Sequence, residues 1–173
     1  MAPETLRTTA VLAVAALAVG FDLRTRRIPN LLTFGAAGAA LVFAFAVDGV
    51  SGGASAALGW LLGVLLFLPF FALRGMGAGD VKLLAALGAW LGPLDTVYLA
   101  IFASIAGGVV ALVVSFARGY LRRALSNIYL MVMHWRVSGP SPVPGLTLTD
   151  TTAPRLAYAV PIAIGALCTL WRN

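Results

Sequence analysis

Five stretches of this chain, Thr8 to Phe21, Asn30 to Val47, Ala54 to Leu73, Thr96 to Ala117 and Leu156 to Trp171, contain no Asp, Glu, Lys or Arg. Nothing else in the sequence restricts the possible folds as much. A hydrocarbon core about 30 Å thick takes about 20 apolar residues per helix. Within it every backbone polar group must be satisfied by the chain itself. With 61% hydrophobic residues, 10% charged residues and a mean hydropathy of +0.97 over 173 residues, a soluble domain is excluded. The reading is an all-α polytopic membrane protein, one membrane-embedded domain over residues 1–173 with about six transmembrane helices.

The punctuation between the runs gives their order. Pro29 stops the first register and opens a second helix from Asn30. The cluster Asp48-Gly49-Val50-Ser51-Gly52-Gly53 reads as a turn. A third run, interrupted by Pro69, ends at Arg74. Val81 to Leu91 is too short to cross alone unless other helices shelter it, which goes with a re-entrant glycine loop just before it. Gly92-Pro93-Leu94-Asp95 turns the chain into the fifth run. Residues 118–136 differ in kind: Arg118, Arg122, Arg123 and Arg136 alternate with Leu121, Leu125, Ile128 and Val132 at helical spacing, as in an amphipathic helix lying on a membrane surface. Ser138 to Pro154, with four prolines, reads as an irregular connector. Pro161 is expected to kink the last span, and the single cysteine, Cys168, reads as a small packed hydrophobe that excludes an internal disulfide.

A net charge of +6 brings nucleic acid to mind, but the basic residues flank apolar runs and form no basic tail. Arg24, Arg26, Arg27, Arg74, Lys82, Arg118, Arg122, Arg123, Arg136 and Arg155 fall on one side of the expected topology, and only Arg7 and Arg172 on the other. By the positive-inside rule the larger group is cytoplasmic, so both termini are expected outside. Three arginines after the first run, against Arg7 alone before it, also argue that this run is no cleaved signal.

Two aspartates then stand out. Asp22 closes the first run and is followed by Ile28-Pro29-Asn30. Asp80 lies in Gly75-Met76-Gly77-Ala78-Gly79-Asp80-Val81-Lys82-Leu83. Both are expected on the cytoplasmic side, away from Asp48 and Asp95. A carboxylate bounded by apolar runs must be paired, protonated or facing water, and a functional role is the default hypothesis. Glycines at alternate positions let another chain approach closely. Two carboxylates that share a proton can hydrolyse a peptide, one activating water and the other protonating the leaving group. The plainer alternative is that each aspartate caps a helix or balances Arg24 or Lys82. Lys82, two residues from Asp80, points away from it on a helix and reads as a boundary marker. A lone His134 without partner cysteines gives no metal site.

The stretch Gly77-Ala78-Gly79-Asp80 resembles the Gly-x-Gly-Asp signature of the type IV prepilin peptidases, and Asp22 with Ile28-Pro29-Asn30 resembles that family's first aspartate motif. The likeness extends over nearly the whole chain, including Tyr158-Ala159-Val160-Pro161-Ile162-Ala163 in the last run. It implies an intramembrane aspartic endopeptidase of the bacterial inner membrane that removes the short basic leader of prepilins or pseudopilins at the cytoplasmic face. Asp22 and Asp80 would be catalytic, with Gly77, Gly79, Pro29 and Asn30 shaping the loops and substrate path. No cofactor, metal or nucleic acid is implied, and membrane lipid is the surrounding partner. The short build looks like the branch that processes Flp-type pilins of tight-adherence pili. Lacking an N-terminal insertion with paired cysteines, it is expected to cleave without methyl transfer. A small ion-coupled transporter and a non-catalytic pilus-assembly scaffold are the competing classes. The transporter would hold its charges near the bilayer midplane, and the scaffold would not require both carboxylates.

Overall fold

The computed structural model describes residues 2–141, 143, 145–146 and 157–172. In chain order it contains α1 (Pro3–Thr25), α2 (Asn30–Ala72), α3 (Ala78–Leu91), α4 (Pro93–Ala117), α5 (Leu121–Ser138) and α6 (Ala159–Arg172), with no strand among the described residues. The chain is an all-α membrane protein: α1, α2 and α4 are each long and apolar enough to cross a membrane, and α6 is a shorter apolar helix. Its outside is greasier than a soluble surface allows. Along α4 alone, Ile101, Ile105, Val109, Leu112, Val113 and Phe116 are exposed, while Thr96, Leu99, Ala100, Ala103 and Gly107 face inward.

The 43 residues of α2 are two arms, 30–48 and 50–72, joined at Gly49 (φ 62°, ψ −146°), a backbone conformation open essentially to glycine alone. A Cβ added at Gly52 would collide with the Ala44 carbonyl. Eight residues along a straight helix would separate them by about 12 Å, so the chain doubles back here. The turn expected at 48–53 is therefore a single glycine with helix on both sides.

Against these arms lies α3, the most enclosed element. Val81 and every residue from Leu83 to Ala89 are buried. At 1.5 Å per residue it is about 21 Å long, short of the hydrocarbon thickness, and its apolar character all round is that of a helix sheltered by others. Small residues make the shelter close. Gly52, Ala56, Gly59 and Gly63 are buried along the second arm of α2. A Cβ on Gly59 would overlap the Gly88 carbonyl, one on Gly88 would lie 2.5 Å from the Gly59 oxygen, and one on Gly63 would lie 2.5 Å from the Ala85 Cα. Backbone thus packs on backbone, the mode that association in lipid favours because apolar burial gains nothing there. The first arm adds Ala36 and Ala37 against Ala86. From the other side α1, α4 and α6 complete the core with Val11, Ala18, Leu99, Ala103, Ile162 and Ala166.

Several expectations need correction. α3 begins at Ala78, with Gly77 extended before it, so Gly79 and Asp80 sit in a helical first turn and not in a re-entrant loop. The amphipathic segment is shifted to Leu121–Ser138, because Arg118 ends α4 and Gly119 (φ 69°) breaks the register; none of its residues is buried. Pro161 lies in the first turn of α6 and does not kink it, since no intrahelical partner exists there for the N–H that proline lacks. Cys168 is exposed on α6, not packed. Arg155, the start of the last span at Leu156 and most of the proline-rich connector lie outside the described residues.

Two ion pairs mark one end of the bundle. Arg7 donates to Asp48 at 2.7 Å, and Arg172 to Asp95 at 2.5 Å. Glu4, Arg7, Trp90, Leu91, Asp95 and Leu170 line one cavity there, of about 360 Å³. Fifteen residues of α1, about 22 Å, separate Arg7 from Asp22, which faces the opposite end.

Candidate active site

The first carboxylate sits where α1 ends. Arg26 adopts a left-handed cap (φ 55°, ψ 27°) and its N–H bonds the Asp22 carbonyl at 3.0 Å, placing Asp22 in the last turn. Its side chain is only 7% exposed. The negative end of the helix dipole is unfavourable for a carboxylate, and a donor comes from elsewhere: the Ala159 N–H, at the first turn of α6, bonds Asp22 Oδ2 at 3.2 Å. A buried acceptor in the bilayer is thereby satisfied across 137 residues of sequence.

The second carboxylate sits where α3 begins. Counting from Gly77, Asp80 is the third helical residue, from which a carboxylate reaches back to the N–H of the capping position. Gly77 does face the Asp80 side chain, since a Cβ there would lie 3.1 Å from Asp80 Oδ2. Asp80 is half-buried. The helix-capping alternative therefore describes one real contact of Asp80. It does not account for the neighbour, Asp22, which the packing of Ile28 on Gly79 brings to the same region. Two carboxylates brought to one region of a low-dielectric site can divide acid and base roles between them.

Pairs drawn from the two motifs bring the helix ends together. Between the Arg26 cap and the start of α2, Pro29 is extended (φ −61°, ψ 136°) and its carbonyl accepts the N–H groups of Leu32 and Thr33. Ile28 then lies against Gly79, where an added Cβ would be 3.4 Å from the Ile28 Cβ. Two residues on, Asn30 Oδ1 accepts a hydrogen bond from Lys82 Nζ at 2.9 Å, and the same ammonium sits 5.2 Å from the Phe34 ring centroid. Lys82 is thus a tie between the motifs, pointing away from Asp80 as its helical position requires. All six residues singled out in the sequence, Asp22, Pro29, Asn30, Gly77, Gly79 and Asp80, fall in this region. Asp48 and Asp95 are engaged at the far end.

Two further residues belong here that sequence reasoning gave no role, Tyr158 and Ala159. Tyr158 packs its ring on Phe67 immediately before α6, and Ala159 supplies the donor to Asp22. Pro161, as a mark of a helix start, was the available signal, since helix starts present unused N–H groups.

Residues 9–112 match the type IV leader peptidase family. The chain is 32% identical over 124 residues to the type 4 prepilin-like proteins leader peptide-processing enzyme of Escherichia coli O78:H11, covering 64% of this chain and 45% of that protein. To the prepilin leader peptidase/N-methyltransferase of Xanthomonas campestris pv. campestris it is 35% identical over 128 residues, 68% of this chain and 44% of the other. The protein of the same name from Burkholderia pseudomallei is 46% identical over 57 residues, 33% and 18% of the two chains. The chain spans about half the length, or less, of these curated relatives. No solved structure matches it. Asp22, Asp80 and the whole of α3 fall inside the matched region, and the chain belongs to the type IV leader peptidase family.

Proposed function

We propose that this protein is an aspartic endopeptidase that removes the leader of type IV prepilins, with Asp22 and Asp80 as its catalytic pair. The observation that carries the reading is the convergence of two acidic helix ends: a buried Asp22 that accepts the Ala159 N–H of α6, and a half-buried Asp80 in the first turn of α3, brought together by Ile28 against Gly79 and by Lys82 with Asn30. One carboxylate, ionised, takes a proton from water as it attacks the scissile carbonyl. The other, protonated, gives its proton to the leaving amine. Family membership supports the choice of a prepilin leader as substrate.

The location of the pair supports a cut at a membrane face. Asp22 and Asp80 lie at helix ends, not midway along spans, so a substrate helix standing in the bilayer would present its junction with the polar leader at their level. The basic residues around this end, Arg24, Arg26, Arg27, Arg74 and Lys82, support assigning it to the cytoplasmic side of a bacterial inner membrane, with both termini outside. α5, with no buried residue and its arginines interleaved with exposed Leu125, Ile128 and Val132, supports a surface-lying helix near that face. We take a prepilin of the Flp, tight-adherence type as the substrate to test. Incubation of the purified protein in proteoliposomes with a candidate Flp prepilin tests the reading. Cleavage at the leader junction is expected; an intact prepilin under conditions where the protein is folded would reject it.

A further inference from the structure

The last helix contributes no side chain to the proposed catalytic pair, yet it makes the hydrogen bond that Asp22 receives across the bundle. Tyr158, immediately before α6, is gripped by two other elements. Its ring meets Phe67 of the second α2 arm edge-on, with centroids 6.1 Å apart and planes at 71°. Its hydroxyl end fills a notch on α4 made by the absence of a side chain at Gly107, where an added Cβ would lie 2.6 Å from the Tyr158 oxygen. Phe67 is 1% exposed and Ala159 fully buried. The backbone between the gripped ring and the first turn of α6 has little room to shift, and the next N–H along it is the one that bonds Asp22 at 3.2 Å.

Resting on the reading of Asp22 as half of a catalytic pair, we infer that Tyr158 is a positioning residue: its ring, clamped between Phe67 and Gly107, fixes the Ala159 N–H on Asp22 Oδ2 and so sets the orientation of that carboxylate. The ring acts through the backbone and not through the chemistry of its hydroxyl. A bond to one oxygen of Asp22 limits rotation of the carboxylate, so the second oxygen is held as well. Tyr158 adjoins Ala159, whose N–H bonds Asp22, so the clamp lies at the edge of the site. Misplacing a reacting group by about 1 Å costs up to about 100-fold in rate, so a clamp this close to the carboxylate is worth more to turnover than to binding.

The chain offers a direct probe. Tyr158-Ala159 is its single Tyr-Ala pair, so carbonyl-¹³C tyrosine with ¹⁵N alanine isolates one amide, that of Ala159, in an NMR spectrum of the protein in detergent micelles. Asp22→Ala should move this amide proton upfield by removing its acceptor, and Gly107→Val, which disturbs the clamp while keeping the Tyr-Ala pair, should shift it the same way with Asp22 intact. In prepilin cleavage at matched folded abundance, Tyr158→Leu should lower kcat by about 10- to 100-fold with KM changed less than about twofold, and Tyr158→Phe should stay within about threefold of the parent. Gly107→Val, which crowds the notch from α4, should lower kcat similarly, and adding it to Tyr158→Leu should cost little more. An Ala159 amide that ignores Asp22→Ala, a Tyr158→Leu enzyme with normal kcat, or a Tyr158→Phe enzyme as poor as Tyr158→Leu would each overturn the inference. If instead the parent protein cleaves no prepilin while the amide responds as described, the proposed function fails and the clamp on Asp22 stands.

Discussion

Replacing either aspartate separates chemistry from fold, because the structure assigns each carboxylate a different structural load. Asp22→Asn keeps an acceptor oxygen for the Ala159 N–H, and Asp80→Asn keeps the same shape beside Gly77. Exchanging a charged acceptor for a neutral one forfeits about 1 kcal/mol, within reach of a normally folded protein. Truncation to Ala is unequal. At Asp22 it strands a buried N–H, a loss of about 1–3 kcal/mol, whereas at half-buried Asp80 it removes a first-turn contact worth about 0.5–1 kcal/mol. Thermal unfolding should therefore rank Asp22→Ala clearly below Asp80→Ala, with both Asn variants near the parent. Activity should show no such ranking. All four should lose turnover to a common floor, by about 10⁴-fold or more, and Asp22→Asn/Asp80→Asn together should be little worse than either alone, since both groups serve one step. Mass spectrometry of released leader, at matched folded abundance in proteoliposomes, reads this directly. Turnover within tenfold of the parent in either Asn variant, or losses that multiply in the double variant, would refute the paired mechanism.

Gly79→Ala should be tolerated, because its Cβ meets Ile28 at ordinary contact distance; Gly79→Val should impair cleavage, and Ile28→Ala in the same chain should restore part of it, as a double-mutant cycle would register. Gly59→Val should cost stability by about 1–3 kcal/mol or more, visible in the folded yield and unfolding temperature, since its side chain would press on the Gly88 backbone, which cannot turn aside as a flexible side chain would. Asp48→Asn and Asp95→Asn break the partly exposed ion pairs with Arg7 and Arg172; each should lose no more than about 1 kcal/mol and cleave at near-normal rates. In a Cys168→Ser background, a membrane-impermeant thiol reagent should label cysteines at 49 and 94 from the outer side and those at 26 and 75 only after the membrane is opened. Outer labelling at 26 would reverse the orientation.

The spans were legible because the bilayer sets their length: a charge-free run near 20 residues has few alternatives, and the reversal between the two arms of α2 was readable from the Asp48–Gly53 cluster. Which face of each run packs inward was not. In a soluble helix polar residues mark the outside, but here Gly52, Ala56, Gly59 and Gly63 are distinguished from their lipid-facing neighbours only by size, and hydropathy does not register size as an interface. The same limit left open which helices enclose α3: its shortness pointed to shelter, but its apolar residues did not say which neighbours supply it. Ala159 was given no role for a different reason. Its contribution is a backbone N–H, which every residue but proline carries, so only the fold distinguishes this one.

Gly79 shows most clearly how a sequence signal can be right in place and wrong in cause. Alternate glycines at 75, 77 and 79 read as room for an approaching substrate, yet the open face of Gly79 is filled from within by Ile28. That contact bears on the carboxylates. Asp22 and Asp80 repel each other when both are charged, so nothing in the pair holds itself together; their neighbours must impose the proximity. Ile28 against Gly79 and Asn30 with Lys82 do so from six to eight residues after Asp22 and within two residues of Asp80. Neither contact is strong alone: one is ordinary van der Waals packing and the other an exposed hydrogen bond. Acting at both ends of the same junction, they fix the last turn of α1 against the first turn of α3. The Ile-Pro-Asn following the first aspartate and the glycines preceding the second thus belong to one structural device, whose product is the position of two charges that would otherwise separate.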